Sequence, residues 1–229
     1  YEFHVIYHAL FNYCTLDLSA FYLDILKDRL YTSPPDSVER KSAQTVLHIQ
    51  AQTIARLMAP ILPFTADEIW QYMPAQNGEG SSIHMNLLPE VNTAFIDDAL
   101  AARWEYLLSI RGEVTKALEE ARAQKLIGHP LDALVTITAG GQAYEALQPY
   151  AGELRSILIV SEATLVKDDD LKGAAGTSGV DGIRIQVAVA SGEKCERCWV
   201  HDTTVGINPE QPTVCERCQD ALAQIKFPS

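Results

Sequence analysis

Basic residues and long hydrophobic runs are both scarce in this chain of 229 residues. Lys and Arg number 18 against 30 Asp and Glu, which gives a formal net charge of -12. Because phosphate contacts require Lys and Arg, this balance argues mildly against nucleic acid as a partner, although net charge says little about local basic patches. No run of about 18 apolar residues occurs, so we expect no helix that spans a membrane.

The N-terminal residues contain neither a methionine nor the basic and then apolar progression of a signal peptide. An apolar pattern with helical spacing is already present at Phe3, Ile6, Tyr7 and Leu10, so we expect a piece of a longer protein. Without an export signal, the five cysteines indicate a reducing compartment, and we predict a cytoplasmic location. Hydrophobic residues make up 47% of the chain, which predicts a folded globular protein.

Four of the cysteines form two pairs with the sequence Cys-Glu-Arg-Cys, and 16 residues lie between the pairs. Each pair can place both sulfurs on one side of an ion, and a separation of about 15–20 residues is typical of zinc sites. Four thiolates complete a tetrahedron and leave no position for a catalytic water, so we predict one structural zinc ion. Two redox-active pairs or an iron–sulfur site are the alternatives, and His201 is a substitute ligand. The predicted ligands are Cys195, Cys198, Cys215 and Cys218.

The hydrophobic pattern changes along the chain and predicts three parts. Residues 1–127 show apolar positions at three- and four-residue spacing, which predicts a helical bundle. Residues 128–190 mix alternating segments with Gly-rich turns and predict a small α/β segment. Residues 191–229 contain the paired cysteines and predict a zinc-binding module. The fold is therefore predicted to be mainly α, with a small α/β segment and a four-Cys zinc finger after the bundle.

Capping and breaking residues predict the boundaries of the elements inside these parts. Ser19 is expected to cap a second helix, and capping-box patterns are expected to start helices at Asp36 and Thr65. A long helix with one apolar stripe is predicted from Asp97 to Lys125. Strands are predicted at Leu131–Thr138, Ile157–Val160, Ala163–Val166 and 183–189, and loops at 75–82 and 173–182.

Five longer strings occur in a fixed order along the chain. They are LSAFYLDILKDRLY at Leu18–Tyr31, the segment Ser42–Trp70 that ends in LMAPILPFTADEIW, LLSIRGEVTKAL at Leu107–Leu118, KLIGHPLDALV at Lys125–Val135, and GEKCERCW at Gly192–Trp199 with VCERC after it. Together they resemble the C-terminal region of isoleucyl-tRNA synthetase, and the resemblance covers nearly the whole chain. The bundle strings alone also fit related class I synthetases such as the valyl enzyme, whereas the bundle joined to this zinc tail is specific to the isoleucyl type.

The resemblance implies an anticodon-binding bundle of the class I synthetase type, which binds isoleucine-specific tRNA together with the zinc module. It also implies a monomer whose chain continues into the rest of a synthetase that attaches isoleucine to its tRNA using ATP. The family's His-x-Gly-His motif and Lys-Met-Ser-Lys-Ser loop are absent here, as is its editing domain. We therefore predict no catalytic residue and no enzymatic activity of this chain alone. Gln211-Pro212 stands where relatives often carry His-Pro, which puts contacts of that loop in doubt.

The candidate RNA contacts lie in and beside the cysteine pairs. Proteins read an unstacked RNA loop by stacking its bases on aromatic or guanidinium planes and by hydrogen bonds to base edges. Arg197, Trp199 and Arg217 suit this role by the resemblance, and Lys194 suits a phosphate contact. For Trp199, packing against the small zinc core is the alternative.

Two other functions share parts of the sequence pattern. A protein-interaction module with a zinc knuckle agrees with the negative net charge, but it does not explain the extended bundle match. A DNA-repair glycosylase carries a similar C-terminal four-Cys finger, but it needs a catalytic N-terminal Pro-Glu, and this chain starts Tyr1-Glu2-Phe3. Binding assays with tRNA and with duplex DNA separate the three.

Overall fold

The computed structural model describes residues 2–74, 80–171 and 180–225. The chain divides into two compact units, Tyr1–Ile96 and Asp97–Ser229. The loops predicted at 75–82 and 173–182 fall mostly outside the described residues, and the division at residues 127 and 190 stays a prediction. Within the described ranges, no helix combines the length and the apolar character needed to cross a membrane.

The first unit begins with one continuous helical run. It comprises α1 (Phe3–Asn12), a π-helical stretch (Tyr13–Tyr22) and α2 (Leu23–Thr32). The prediction that Ser19 starts a separate helix is therefore wrong, because Ser19 lies inside the π-helical stretch. Residues 2–33 contain no Pro or Gly that would interrupt the run, and the capping preference of one serine is too weak to do so. The run ends where Pro34 restricts Ser33 to extended backbone.

Two further helices, α3 (Val38–Met58) and α4 (Pro63–Gln71), follow in the first unit. The N-cap of α3 is Ser37 and not Asp36, since the Ser37 hydroxyl accepts a hydrogen bond of 3.3 Å from the Arg40 N–H. The predicted start of α4 at Thr65 is also wrong, because the helix begins two residues earlier at Pro63. Proline suits the first helical position, where its φ is already helical and its missing N–H is not needed.

The buried cluster between α3 and α4 is small and centres on Trp70, which is 8% exposed. Its indole N–H donates to the Gly80 carbonyl at 3.2 Å, and the Arg56 guanidinium lies 5.2 Å from the ring centroid. The other buried members of the cluster are Ala55, Ala59, Ala66 and Ile83. Three of them are alanines, which leave room for the indole ring between the two helices.

The second unit begins with α5 (Asp98–Ala123), which confirms the long predicted helix to within two residues. The Asp97 carboxylate caps it by accepting the Leu100 N–H at 2.8 Å. Its buried stripe consists of Leu107, Ile110, Val114, Leu118 and Ala121. These side chains share one core with the sheet that follows.

A three-stranded mixed sheet supplies the other side of this core. The central strand β1 (Ala133–Ala139) pairs in parallel with β2 (Glu162–Lys167) and antiparallel with β3 (Ile183–Val189). Side chains of β1 alternate between buried and half-buried, and Val135 and Ile137 face the core. The strands predicted at 131–138, 163–166 and 183–189 are thereby confirmed to within a few residues.

The crossover from β1 to β2 contains α6 (Gly141–Leu147) and α7 (Leu154–Leu158). The strand predicted at Ile157–Val160 is wrong, because Ile157 and Leu158 form the last turn of α7. Ile159 ends that helix in the left-handed conformation with φ 57°. Periodicity does not separate a short buried helix from a short buried strand, and here the parallel pairing of β1 with β2 needs a helical crossover.

The last part of the chain holds three short elements, β4 (Glu193–Lys194), β5 (His201–Asp202) and α8 (Glu216–Ala223). The strands β4 and β5 form an antiparallel hairpin around the first cysteine pair. The second pair lies at the start of α8. A mainly helical fold with a small mixed sheet and a four-Cys cluster confirms the predicted fold class.

Candidate metal centre

Backbone hydrogen bonds shape each cysteine pair into a tight turn. In the first turn the Cys195 N–H donates to the Val200 carbonyl at 2.9 Å, and the Trp199 N–H donates to the Cys195 carbonyl at 2.8 Å. In the second turn the Cys218 N–H donates to the Cys215 carbonyl at 2.9 Å. Each turn thus holds its two sulfurs on the same side of the backbone.

The four predicted ligands converge on one point. All four Sγ atoms lie within 4.8 Å of one another, and the Sγ atoms of Cys198 and Cys215 are 3.8 Å apart. A tetrahedron with Zn–S bonds of about 2.3 Å has its sulfurs about 3.8 Å apart. Cys195, Cys215 and Cys218 are buried, and Cys198 is half-buried. The donor set therefore fits zinc in chemistry, number and spacing.

Backbone N–H groups also point at these sulfurs. The Cys215 N–H donates to the Cys195 sulfur at 3.3 Å. The Val200 N–H donates to the sulfur of Cys198, and the Cys218 N–H donates to the sulfur of Cys215. Such donors stabilise negative charge on sulfur, so these backbone contacts favour the thiolate form that a metal ion binds.

The protonation states of Cys198, Cys215 and Cys218 depend on one another. A hydrogen bond from the Cys218 thiol lowers the pKa of Cys198 to about 4. The same contact raises the pKa of Cys218, and burial raises the pKa of Cys215 to about 11. A divalent cation must displace the protons that remain, so binding releases protons and weakens as the pH falls.

Gly192 permits the closest backbone approach in the module. Its φ is +79°, and a Cβ at this position would lie 2.3 Å from the carbonyl carbon of Asp202 and 2.5 Å from the Thr203 nitrogen. The β4–β5 hairpin closes over this point. A glycine is thus needed just before the first cysteine pair for both space and conformation.

Ser161 docks the zinc module onto the sheet. It precedes β2 and is 3% exposed. Its hydroxyl donates to the Leu131 carbonyl, and its Oγ accepts the His201 N–H at 2.8 Å. One buried hydroxyl therefore links the segment before β1, the start of β2 and the first residue of β5.

A second contact lies beside it, between Asp132 and His201. The His201 Nε2 atom is 3.4 Å from the Asp132 Oδ1 atom. Burial raises the pKa of the Asp132 carboxyl, but hydrogen bonds from the His129 and Gly128 N–H groups, together with His201, hold that pKa below its usual range. Asp132 is thus ionised at neutral pH, and His201 faces a carboxylate in place of the sulfurs.

The four predicted RNA contacts differ in their surroundings. Trp199 is 60% exposed and adopts φ +65°, and the Lys194 ammonium lies 5.5 Å from its ring centroid. The Arg197 Nη1 atom donates to the Cys218 sulfur at 3.6 Å, and the Arg217 side chain donates to the sulfur of Cys198. Lys194 and Trp199 therefore form an outward patch, whereas both arginines reach the sulfurs.

Sequence reasoning missed the residues that dock and close the module. Ser161 and His201 are 40 positions apart, and no spacing rule connects a lone serine to a distant backbone N–H. Gly192 lies three residues before the first cysteine pair, and glycine is the usual residue where the backbone turns tightly or approaches closely, so the sequence carries a signal for it. For His201 the sequence suggests only the role of a substitute zinc ligand.

Two family models match the chain. Residues 1–137 match the model described as "Anticodon-binding domain of tRNA ligase". Residues 192–221 match the model described as "Zinc finger found in FPG and IleRS". The finger match and the clustered cysteines confirm the structural zinc ion that the spacing predicts.

Curated relatives match almost the full chain. Isoleucine–tRNA ligase of Geobacter sulfurreducens is 48% identical over 225 residues, which are 97% of this chain and 24% of the relative. The same enzyme of Syntrophotalea carbinolica is 48% identical over 223 residues, and that of Desulforamulus reducens is 45% identical over 234 residues. This chain thus spans about a quarter of the length of these relatives. Because the first model covers more than half of it, the chain belongs to the family of anticodon-binding domains of tRNA ligases, joined to a zinc finger as in isoleucine–tRNA ligases.

Proposed function

We propose that this chain binds the anticodon arm of isoleucine tRNA, as the C-terminal part of a cytoplasmic, monomeric isoleucine–tRNA ligase. The observation that carries the proposal is the joint presence of the anticodon-binding match at 1–137 and the four-Cys finger after it. The relatives are named isoleucine–tRNA ligases, that is, enzymes that attach isoleucine to tRNA. About three quarters of their length lies outside the part that matches this chain. A DNA-repair enzyme or a protein-interaction module would account for the finger alone.

In this proposal a single zinc ion is bound by four thiolates, one from each of Cys195, Cys198, Cys215 and Cys218. With four protein ligands no coordination position is open for water, so the ion shapes the module and takes no part in chemistry. The module holds only short elements, and a segment of this size has too little apolar core to fold unaided. Zinc therefore presents the outer surface of the module to RNA.

The surface proposed for RNA is the patch of Lys194 and Trp199. An exposed indole offers a flat face to an unstacked base, and a neighbouring ammonium offers a charge to the phosphate. Lys194 already lies over the Trp199 ring, so the two groups can meet adjacent parts of one nucleotide. Arg197 and Arg217 contact the sulfurs, so they contribute to RNA binding through the shape of the module.

The test is tRNA affinity and zinc content measured on the same Trp199→Ala preparation of the full-length ligase. Loss of a base stack should weaken tRNA binding roughly ten- to a hundred-fold with zinc unchanged. Trp199→Phe should recover part of the loss because it keeps an aromatic face. Ile207→Ala is the matched control, since Ile207 is 72% exposed in the same module and is given no role.

Two results would contradict this surface. If the Trp199→Ala enzyme kept both normal tRNA affinity and normal zinc content, Trp199 would not be part of the RNA interface. A loss of tRNA affinity that only parallels a loss of zinc would assign the indole to packing on the metal centre. Isoleucine activation should be unchanged in every variant, because the proposed surface carries none of that chemistry.

A further inference from the structure

The two cysteine pairs have the same sequence, and their arginines cross over. Arg197 belongs to the first pair, yet its Nη1 atom donates to the sulfur of Cys218 in the second pair, at 3.6 Å. Arg217 belongs to the second pair, yet its side chain donates to the sulfur of Cys198 in the first. Each arginine thus contacts the last cysteine of the other Cys-Glu-Arg-Cys turn.

The negative charge of the zinc centre explains why a guanidinium group beside each of these two sulfurs is favourable. A zinc ion with four thiolates has a net charge of minus two, and such a charge is costly to bury without compensation. Arginine stays protonated in proteins and directs several N–H donors from one plane, which suits contact with a thiolate. Two guanidinium groups offset the two negative charges and do so from opposite turns.

We propose that Arg197 and Arg217 form a reciprocal clamp around the zinc centre, in which each arginine neutralises a thiolate of the opposite turn and thereby ties the two turns together. The proposal rests on zinc binding by the four cysteines. It gives the two arginines a positioning role in metal retention, in place of the direct base contact that their sequence position suggests.

Arg197 and Arg217 should not contribute equally to zinc retention. Cys198 also accepts a hydrogen bond from the Val200 N–H, so it keeps one donor when Arg217 is removed. The sulfur of Cys218 accepts its hydrogen bond from Arg197. Removal of Arg197 should therefore have the larger effect.

The test measures how fast the zinc-loaded chain transfers its metal to an excess of the chromophoric chelator 4-(2-pyridylazo)resorcinol. Partners that hydrogen-bond a metal ligand typically change affinity about 10- to 100-fold, and the release rates of Arg197→Gln and Arg217→Gln should rise within this range. Two controls remove the same charge without touching sulfur. Lys194→Gln lies in the same module, and Arg184→Gln lies on β3, where Arg184 is exposed.

Release at the rate of the unchanged chain in both arginine variants would overturn the clamp, and so would an equal acceleration in Lys194→Gln. If Arg197→Gln does not fold, Arg217→Gln decides, since faster release there supports the clamp and unchanged release contradicts it. Cobalt substitution reports independently, because the visible spectrum of a tetrahedral sulfur site should shift in the arginine variants only. Absence of zinc from the unchanged chain would instead refute the metal site itself, and so the two failures are distinguishable.

Discussion

At Gly192 the space for a single methyl group decides whether the zinc module can close. A Cβ there would meet both the carbonyl carbon and the carbonyl oxygen of Asp202, at 2.3 and 2.4 Å. These are backbone atoms of the opposite hairpin strand, so they cannot move aside as a flexible side chain could. Gly206 offers the contrasting case, because it also has positive φ, at +90°, but a Cβ would meet nothing within 4 Å.

Gly192→Ala should therefore open the β4–β5 hairpin, whereas Gly206→Ala should carry only the cost of the left-handed backbone. That cost is on the order of 1–3 kcal/mol, and the backbone clash at Gly192 adds to it. Hydrogen exchange of the peptide that spans 193–205 measures the opening. Equal exchange in the two variants would show that the clash is relieved by a shift of the chain.

The sequence predicted some residues of this site and missed others for a definable reason. Cysteine spacing reports metal ligation because a two-residue gap constrains the backbone geometry directly. The contact between Arg197 and Cys218 joins two turns whose relative placement appears only in the folded module. The sequence therefore predicted the zinc ligands, but it did not predict that both arginines reach the sulfurs.

At the scale of the elements, β5 is attached to the sheet through one buried serine. Ser161 satisfies the Leu131 carbonyl and the His201 N–H at once, and both partners belong to backbone. Ser191 contacts the residue that follows Ser161, since its hydroxyl donates to the Glu162 carboxylate in an exposed position. Burial is thus the main difference between the two serines.

Ser161→Ala should loosen the attachment, because the part-buried His201 N–H and Leu131 carbonyl both lose this hydrogen-bond partner. An unsatisfied buried group costs about 1–3 kcal/mol. Ser191→Ala should cost much less, since water replaces the exposed contact. Hydrogen exchange of the β5 amides, compared at equal pH and with zinc bound, tests the difference. Equal protection in both variants would mean that Asp132 and His201 hold the module without the serine.

Element prediction from the sequence succeeded where length and apolar spacing agreed. Helix α5 has 26 residues and a capping aspartate, so its sequence pattern fits a helix and not a strand. The helix α7 has only five residues and no side chain that caps it. The sheet topology is what explains why Leu154–Leu158 is helical. Pro63 outweighed the apparent capping box at Thr65 for a similar reason, because the fixed φ of a proline acts more strongly than a polar side chain.

At the scale of the whole molecule, the proposed function assigns tRNA binding to this chain and isoleucine activation to the rest of the ligase. It contains neither of the nucleotide-binding motifs of the synthetase family. We therefore expect no isoleucine-dependent exchange between ATP and pyrophosphate by this chain alone. The measurement needs a preparation free of complete ligase, with a blank that lacks isoleucine. Exchange above that blank would contradict the expectation.

Loss of zinc should unfold the finger and leave the rest of the molecule folded. Structural zinc contributes on the order of 10–16 kcal/mol to small zinc-dependent folds, and the finger's only described helix is α8. The helices α3, α4 and α5 and the three-stranded sheet have buried apolar side chains that do not depend on the metal. A chelator should therefore remove the protection of residues 191–225 against hydrogen exchange, while most of the helical circular dichroism remains.

Faster hydrogen exchange at Ser161 and Leu131 should accompany the loss of zinc, because the unfolded module no longer covers the junction. If the helical signal fell together with the zinc, the finger and the rest of its unit would unfold as one cooperative structure, and the predicted boundary at residue 190 would be wrong.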